Sequence, residues 1–536
     1  MCKEHTRPGI TLADRDAHEK DHQLWSRRDF LSASGLLGAG SLMLGNLPLR
    51  AFQPTPLIAA LAGGMNDRTL VLIRLDGGND GLNTVIQRGN QQYYNLRPTI
   101  SIADGDLWAL SNEYGMPKST NALQPLWQDG MMKMIFNVGY PEPNYSHFRS
   151  YDIVASASDS DKLVGTGWMG RFLDHEYASF LETPPTIPPA LQIGVQTDLV
   201  FKADQANMAL AVSSPQEFYQ IAQTGQLYNT ANLGNSPREL ELAFVRQTAN
   251  SAFRYAETIK NAYGTGKNNV TYPTGNYLAE QLAIVARLIK GNLGTRVFMV
   301  SIGGFDTHAE QKDYHLNLLN QLSTAVKSFY DDLAHDNSGL EDKVLGMTFS
   351  EFGRTIYENG SLGTDHGWGT PMMLFGGGLG NGFVGQYQDL SNPDPFTDPE
   401  FSVDFRSVYA TVLKDWLGNS PELVNFVLGQ EHPTFTGLVP AILPAKGDNG
   451  LCALLGHNPS AVPGIVEIKY SMMQDGPIRL QLLDKAGHAI RTLVNEYKTR
   501  GSYTFPFRPA DWYIGPGEYQ YRLQGGGQVF QRTLKV

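Results

Sequence analysis

Short apolar runs alternate with amphipathic helical patterns between Thr69 and about residue 445. The runs predict buried strands at 69–75, 132–138, 296–302, 344–349 and 372–375. Helices are predicted between them, the clearest at 277–290 and in a long amphipathic segment that ends near residue 335. Repeated strand–helix units imply an α/β fold with a mostly parallel sheet sandwiched by helices.

The hydrophobic pattern changes twice along this chain. Residues from about 175 to 247 are less regular and predict an inserted cap or lid. Residues 446–463 are rich in Pro, Gly and Asn, which indicates a linker. Residues 464–536 then alternate apolar and polar positions in short runs separated by turns, which predicts a small β-sandwich. We therefore expect an α/β domain over 66–445 and a non-catalytic all-β module at the end.

The first 60 residues predict a signal peptide and leader. Ser26-Arg27-Arg28-Asp29-Phe30-Leu31 is typical of a twin-arginine signal, and the apolar run after it is too short to span a bilayer. The alternative is a chance Arg-Arg pair before a buried helix. The signal predicts export through the twin-arginine translocase, to the periplasm, the medium or the cell surface.

Charge and cysteine content exclude some functions. With 53 acidic and 42 basic residues, the chain has a formal charge of −11, so binding to nucleic acid is not expected. Cys2 lies in the leader and leaves Cys452 as the second of two cysteines, so an intramolecular disulfide is not expected in the mature protein. Cys452 lies in an apolar stretch, which argues against a thiol nucleophile.

Polar clusters follow three of the predicted strands. Asp76 comes after 69–75, Asp306 and His308 come after 296–302, and Glu351 comes after 344–349. Carboxyl ends of parallel strands meet at one edge of a sheet, where α/β proteins place their sites. A further glycine-bounded loop carries Asp365 and His366. This Asp/Glu/His set predicts one or two divalent metal ions, namely zinc, calcium, magnesium or manganese.

Each of these candidates has a structural alternative. Asp76 is in a position typical of a turn former, and Asp306 in one typical of a helix N-cap. Glu351 and Arg354 are spaced for a salt bridge, and Arg354 is equally suited to hold an anionic oxygen. Asp365 is predicted either as a ligand or as the partner that fixes an imidazole. Asn79 and Asp80 are further candidates for a second ligand or for orienting the first.

A candidate nucleophile lies after the strand 132–138. Ser146 stands in NYSHFRS at the predicted start of a helix, where the helix N-terminus favours a developing alkoxide. The alternative is an N-cap serine, and Ser150 is a rival nucleophile. His147 is predicted as a base or a ligand, and Arg149 as an anion-binding group.

These motifs resemble a known family. LVLIRLDGGNDGLNT, YSHFRSYDI, GFDTH, SEFGRT and TDHGWGTPMMLFGGG are similar, over residues 66–440, to the family known as domain of unknown function 1501 (DUF1501). That family is itself similar to the alkaline phosphatase and sulfatase superfamily, whose members use one or two metals on an α/β sheet. The resemblance implies an alkaline-phosphatase-like domain in which Ser146 is the nucleophile.

The same resemblance assigns the metal ligands. Asp76 and Glu351 match one site, and Asp306, His308 and His366 match the other. The sequence departs from the superfamily pattern because Phe352 stands where a histidine ligand is usual and because the Asp-x-His spacing at 306–308 is tighter. If Asp365-His366 is instead the superfamily's Asp-His pair, the assignments shift.

The end of the chain carries a second resemblance. VEIKYSMMQDGPIRLQLLDKAGHAIRTLVNEYKTRGSYTFPF and GEYQYRLQGGG resemble the Ig-like module used as a type IX secretion sorting domain, which is also similar to the flagellar-hook-cap module. This implies the type IX secretion machinery as a partner.

Together, the residues and the two resemblances predict an exported metal-dependent hydrolase of a phosphate or sulfate ester, acting on a small-molecule or glycan substrate. The alternatives are a non-catalytic surface or glycan-binding protein on a degenerate hydrolase scaffold, and a structural surface protein that binds a metal for stability.

Overall fold

The structure, a computed structural model, describes the chain from residue 68 to residue 536 with short gaps. The gaps are 178–179, 181–183, 205, 224–236, 336–337, 392–400, 442–451, 460–463, 473–475, 500 and 526–527. The predicted signal and leader lie outside the described residues. No helix in the described ranges combines the length and the apolarity that a membrane crossing needs.

Helices and strands of the described residues have the following bounds. The helices are α1 Gln91–Leu96, α2 Gln124–Gln128, α3 His147–Ser156, α4 Trp168–Glu176, α5 Pro215–Gln223, α6 Pro237–Thr265, α7 Tyr277–Lys290, α8 Gln311–Ala334, α9 Phe405–Thr411 and α10 Pro421–Leu428. The strands up to the end of the α/β part are β1 Thr69–Asp76, β2 Ile86–Gln87, β3 Leu107–Ala109, β4 Tyr114–Pro117, β5 Met132–Gly139, β6 Ala190–Ile193, β7 Ala209–Val212, β8 Val297–Gly303, β9 Val344–Phe349, β10 Gly353–Arg354, β11 His366–Gly367, β12 Thr370–Phe375, β13 Phe383–Val384 and β14 Val403–Asp404. The C-terminal strands are β15 Cys452–Pro459, β16 Val466–Met472, β17 Gly476–Leu483, β18 Ala489–Lys498, β19 Gly501–Phe507, β20 Glu518–Gly525 and β21 Gln528–Lys535.

A mixed, largely parallel sheet of nine strands forms the centre of the described α/β part. Its order is β13-β5-β12-β9-β1-β8-β6-β7, with β14 also paired to β5. β12 runs antiparallel to both of its neighbours, and the other pairs are parallel. The predicted sheet flanked by helices is confirmed, with β12 as the antiparallel exception.

The central strand β1 is buried on both faces. Val71, Ile73 and Leu75 pack into one apolar core, together with α7 and α8. Leu70 and Leu72 point the other way, into a second core with α3, α4 and α9. Burial on both faces explains why β1 is continuously apolar and does not alternate.

Parallel pairing in register places three strand ends side by side. Asp76 pairs with Gly303 of β8, and Arg74 pairs with Phe349 of β9. The residues that follow β8 and β9 therefore emerge beside the end of β1. This is the edge at which we expected the polar clusters to meet.

The region from about 175 to 247 is not only a cap. β6 and β7 lie within it and extend the central sheet beyond β8. Each of these strands has four residues, which is too short for the period-two pattern to distinguish it from a loop. The expectation of an inserted cap is therefore wrong for these two strands.

The C-terminal residues form two small sheets around one apolar core. The sheets have the orders β15-β16-β19 and β18-β17-β20-β21. Side chains from both sheets share a core that includes Leu454, Ile468, Leu480 and Leu523. β15 was predicted as linker, but Cys452–Pro459 pairs along its whole length with β16. Gly456 breaks the alternation of β15 at a register shift, which is why its sequence does not resemble a strand.

Candidate metal centre

Two glycines allow the ends of β1 and β8 to touch. Gly77 has a positive φ of +120°, and a Cβ at this position would lie 2.4 Å from the backbone nitrogen of Asp306. The amide of Phe305 donates a hydrogen bond of 3.1 Å to the carbonyl of Asp76. Gly78 similarly leaves room for the ring of Phe352. The glycines after β1 thus permit a close backbone approach that any side chain would block.

Four side chains converge where these strands end. Oδ1 of Asp306 lies 3.4 Å from Nε2 of His147, 3.1 Å from Nε2 of His308 and 3.3 Å from Nε2 of His366. The Nε2 atoms of His308 and His366 are 2.9 Å apart. Three imidazole nitrogens therefore surround one carboxylate oxygen.

The remaining nitrogen of each imidazole has its own acceptor. Nδ1 of His147 lies 2.9 Å from Oε1 of Glu351, whose side chain is 1% exposed. Nδ1 of His308 lies 3.3 Å from Oδ1 of Asp365. Asn359 donates to that same oxygen over 3.0 Å and so orients Asp365.

The third imidazole is held by the backbone. Nδ1 of His366 lies 2.7 Å from the carbonyl of Tyr145, an acceptor that cannot donate in return. This geometry places the proton on Nδ1 and leaves the lone pair on Nε2. The same reasoning holds for His147 and His308, whose acceptors are carboxylates. Once Nε2 has lost any proton it carries, each imidazole can therefore offer its Nε2 lone pair beside Asp306, as in histidines that ligate a metal.

Carboxylate neighbours favour the protonated form of two of the three imidazoles when no metal is bound. Hydrogen bonds to Asp306 and then Asp365 raise the pKa of His308 to about 9. Burial lowers the pKa of His147, but the carboxylates of Asp306 and Glu351 outweigh it and raise that pKa to about 9. Burial opposes ionisation of Asp306 as well, yet its imidazole and guanidinium partners hold its pKa well below the usual range. Burial lowers the pKa of His366.

The donor set fits a small tetrahedral cation. Zn²⁺ binds imidazole nitrogens at about 2.0–2.1 Å, so the edges of its coordination tetrahedron are about 3.3 Å long. The separations between Oδ1 of Asp306 and the three Nε2 atoms, and between the Nε2 atoms of His308 and His366, are 2.9 to 3.4 Å and agree with such edges. Calcium and magnesium prefer six or more oxygen ligands, whereas three imidazoles suit zinc and similar transition metals.

The loop that carries His366 is fixed by a two-residue ladder. Arg354 of β10 pairs with His366 of β11 in antiparallel register. A Cβ on Gly363 would lie 2.3 Å from the backbone of His308, so this loop packs against the segment that follows β8. His308 and His366 therefore reach the same point from different parts of the chain.

Arg354 has a role other than anion binding. Its side chain is 0% exposed, and its nitrogens donate to the carbonyls of Gly77, Gly78, Phe305 and Thr364. It also donates to Oδ1 of Asp306 over 2.7 Å. The expectation that Arg354 holds a substrate anion is therefore wrong. The guanidinium joins the ends of β1 and β8 and positions Asp306.

Asp76 lies beside the cluster and is paired with an arginine. Its Oδ1 accepts from NH2 of Arg74 over 2.6 Å, and its side chain is 51% exposed. Burial raises the pKa of Asp76. The positive charge of Arg74 lowers this pKa, whereas the negative charge of Glu351 adds to the effect of burial. Asp76 is thus near Glu351 but is not one of the four converging donors.

Asn79 and Asp80 belong to the core. Asp80 forms an ion pair of 2.7 Å with Arg97 in which neither side chain is exposed. The side-chain oxygen of Asn79 lies 3.0 Å from Nε2 of His315. Burial lowers the pKa of His315 to about 4 and keeps this histidine neutral. These contacts make Asn79 and Asp80 structural residues, and His315 a core histidine.

Ser146 caps α3 directly before His147. Its backbone adopts an extended conformation, its side chain makes no cap hydrogen bond, and it is partly buried. Ser150, in contrast, is buried, with its hydroxyl donating to the carbonyl of Asn144 and accepting from Tyr140. Of the two serines, Ser146 is the one that directly precedes a residue of the cluster, and its side chain makes no cap hydrogen bond.

Arg149 lies one turn after Ser146 and contacts a loop. Its NH2 group donates to the carbonyls of Ser160 and Lys162 over 2.9 and 2.6 Å. One arginine at this edge, Arg74, was missed by the sequence reasoning. It precedes Asp76 by two residues, and residues i and i+2 of a strand share a face, so the signal was present.

Comparisons with known proteins add little beyond the family. No curated protein matches the sequence significantly. The chain is similar to the PsFucS1 sulfatase from Pseudoalteromonas sp., at 10% identity over 85% of this chain and 89% of that chain, with a TM-score of 0.30. It is also similar to a protein of the alkaline phosphatase superfamily from Vibrio parahaemolyticus, at 10% identity over 90% and 88% of the chains, with a TM-score of 0.28. These values are too low to carry an argument about fold or activity.

The family itself is shown by the sequence. The model described as protein of unknown function (DUF1501) matches residues 127–435, which is more than half of the chain and includes all four converging donors. The chain therefore belongs to the DUF1501 family.

Proposed function

We propose that this protein is an exported metal-dependent hydrolase of a phosphate or sulfate ester, with zinc or a similar transition metal as its cofactor. The observation that carries the proposal is the convergence of three imidazole nitrogens on Asp306, one of them from His147, which directly follows Ser146 in the chain. His147, His308, His366 and Asp306 would hold the ion. A bound ion of this kind supplies a Lewis acid for an ester oxygen and favours ionisation of a nearby nucleophile.

Ser146 is the proposed nucleophile. It lies at the N-terminus of α3, where unpaired backbone amides and the helix dipole favour negative charge. Attack by its oxygen on phosphorus or sulfur would break the bond to the alcohol oxygen of the substrate, which leaves as the alcohol after taking up a proton. The resulting phosphate or sulfate ester of Ser146 would then be hydrolysed by water, which frees the serine hydroxyl and releases inorganic phosphate or sulfate. Because Ser146 directly precedes His147, the hydroxyl and the ion-binding cluster are held by the same helix end.

The openness of the cluster favours a large substrate. The side chains of Asp306 and His308 are 48% and 45% exposed. Phe148, in the first turn of α3, is also exposed. An ester group carried on a glycan can approach such a site without an enclosing pocket, so we include glycan esters among the proposed substrates.

A second candidate function is binding without turnover, on a degenerate hydrolase scaffold. The positions of Arg354 and Arg149 favour it, because one is buried and the other donates to loop carbonyls. Neither is placed to neutralise a substrate anion. In this alternative, the centre would bind its metal and an oxygen ligand but would not cleave an ester.

The proposed route to the cell surface rests on the two ends of the chain. The twin-arginine motif supports export through the twin-arginine translocase, and the C-terminal β-strands support an Ig-like module for type IX secretion. Secretion of the full-length chain, compared with an Arg27→Lys, Arg28→Lys variant, tests the first step. Secretion of a chain that ends before residue 452 tests the second.

The metal content of the mature protein tests the proposed function. We expect zinc in the wild-type protein and its loss in His366→Ala, as measured by elemental mass spectrometry. The matched control is Ser146→Ala, which should retain zinc and lose turnover of phosphate or sulfate esters. A metal-replete protein without bound metal would refute the proposal. Bound zinc with no turnover on a broad ester panel would favour the binding alternative.

A further inference from the structure

We propose that the centre takes a single metal ion, and that the guanidinium of Arg74 permanently holds the place beside Asp76 and Glu351 where a second ion would bind. This proposal rests on the metal-dependent function proposed above. It concerns the two acidic residues that the family resemblance assigns to one metal site but that lie outside the four converging donors.

Arg74 is anchored beside Asp76 on three sides. One guanidinium nitrogen lies 2.6 Å from Oδ1 of Asp76, and another lies 3.4 Å from Oδ2 of Asp198. The guanidinium carbon stands 3.6 Å from the centre of the Tyr151 ring, in a cation–π contact. With two carboxylates and an aromatic face around it, the group is fixed in position, and 21% of its side chain is exposed.

Glu351 has one oxygen fully engaged and one engaged only weakly. Its Oε1 lies 2.9 Å from Nδ1 of His147 and accepts from the amide of Gly77 over 2.9 Å. Its Oε2 accepts from the hydroxyl of Ser350 over 3.3 Å. The Ser350 hydroxyl also donates to the carbonyl of Leu75 over 2.6 Å, so a second ion could use only Oε2 of Glu351 without displacing His147.

An apolar ring lies against two of the histidines. The ring of Phe352 is 4.8 Å from that of His147 and 4.5 Å from that of His366, centre to centre. Phe352 is almost fully buried and offers no metal ligand. An ion placed at Asp76 would therefore find a carboxylate that already accepts from Arg74, and Phe352 would give it no ligand.

The charges of the acidic residues explain the position of Arg74. Asp76 and Glu351 are two acidic groups at one sheet edge, and a cation beside them offsets the repulsion between their charges. Arg74 supplies that cation without depending on the supply of metal. A divalent ion at the same place would be repelled by the guanidinium. Arg74 is thus inferred to be a positioning residue for Asp76 and the determinant of a one-ion centre.

Counting ions in intact protein by native mass spectrometry tests this proposal. We expect one zinc ion in the wild-type protein and one in Asp76→Asn, because Asp76 is not a ligand of the bound ion. Two ions in the wild type, with one in Asp76→Asn, would overturn the one-ion centre and leave the hydrolase proposal intact. Loss of the single ion in Asp76→Asn would also overturn it. No ion in the wild type would refute both proposals.

Two variants of Arg74 test its part directly. Arg74→Met removes the charge and should allow a second, weaker zinc ion to bind at millimolar zinc, seen as a second mass shift. Arg74→Lys keeps the charge and is the matched control, which should remain at one ion. If folded Arg74→Met also stays at one ion, Arg74 does not exclude the second ion. Circular dichroism of both variants establishes that the fold is retained.

Discussion

Oε1 of Glu351 lies 2.9 Å from Nδ1 of His147, on a side chain that the protein covers almost completely. The contact fixes both the tautomer and the rotation of the imidazole, so that Nε2 points toward Asp306. In the proposed metal centre, Glu351 would therefore act through His147 and not through a bond of its own.

Removing this contact should weaken metal binding. Replacing a carboxylate that orients a ligating histidine typically costs about 10–100-fold in metal affinity. We expect a loss of this size for Glu351→Ala and a smaller one for Glu351→Gln, whose amide oxygen can still accept from Nδ1. Competition with a chromophoric chelator measures the affinity. Glu113→Ala is the control, because Glu113 is exposed and is distant from Glu351 in the sequence. Equal affinity in Glu351→Ala and in the control would contradict this role.

Metal binding should release protons at neutral pH. The pKa of His147 and the pKa of His308 are both raised to about 9, so both imidazoles hold an extra proton at pH 7 when no metal is bound. An ion must displace these protons, because a ligating nitrogen cannot keep one. The apparent affinity should therefore rise with pH by about tenfold per displaced proton per pH unit, and level off above pH 9.

Calorimetric titration of zinc in buffers of different ionisation enthalpy counts the released protons. We expect about two per ion at pH 7 and fewer at pH 9. In His308→Ala, any remaining binding should release one proton fewer. A proton count of zero at pH 7 would mean that these histidines are neutral before the ion binds.

Asp80 should matter for stability and not for metal content. Burial alone would raise the pKa of Asp80, but its partner Arg97 outweighs burial and lowers that pKa. Asp80→Asn leaves the buried charge of Arg97 unpaired, which typically costs about 3–5 kcal/mol of unfolding free energy. Urea denaturation measures the loss, and elemental analysis of the folded variant should still find the ion. A stable Asp80→Asn protein without metal would show instead that Asp80 is a ligand.

The two serines at α3 should respond in opposite ways to substitution. Ser146→Ala should abolish ester turnover with little change in melting temperature, because the side chain of Ser146 makes no hydrogen bond that caps α3. Ser150→Ala removes a buried hydroxyl that bonds Tyr140 and Asn144, which typically costs about 1–3 kcal/mol. Its turnover should persist once the protein is folded. Full activity in Ser146→Ala would refute Ser146 as the nucleophile.

The position of the site could be predicted from the sequence, because it depends on strand ends. The runs at 69–75, 296–302 and 344–349 are long, apolar and β-branched, and parallel strands align their carboxyl ends. The clusters that follow them therefore had to emerge at one edge. His147 was also noted as a ligand candidate, because it adjoins the predicted helix start.

The roles within the site could not be read in the same way. Whether Glu351 coordinates a metal or holds His147 depends on the direction of one side chain. The burial of Arg354 depends on carbonyls that come from three segments of the chain. In both cases, the sequence gives the residue type and its place on the sheet, while the tertiary structure decides which group it faces. Similarly, the short strands β6 and β7 are recognisable only once β8 is beside them.

The four converging donors come from three separate stretches of the chain, at His147, at Asp306 with His308, and at His366. No stretch contains more than two of them. An unfolded or partly folded chain consequently offers an ion no comparable site, and the whole binding energy is gained only after β1, β8 and the β10–β11 ladder have come together. Bound metal would thus be a marker of completed folding, because a chain that carries the ion has already assembled its central sheet.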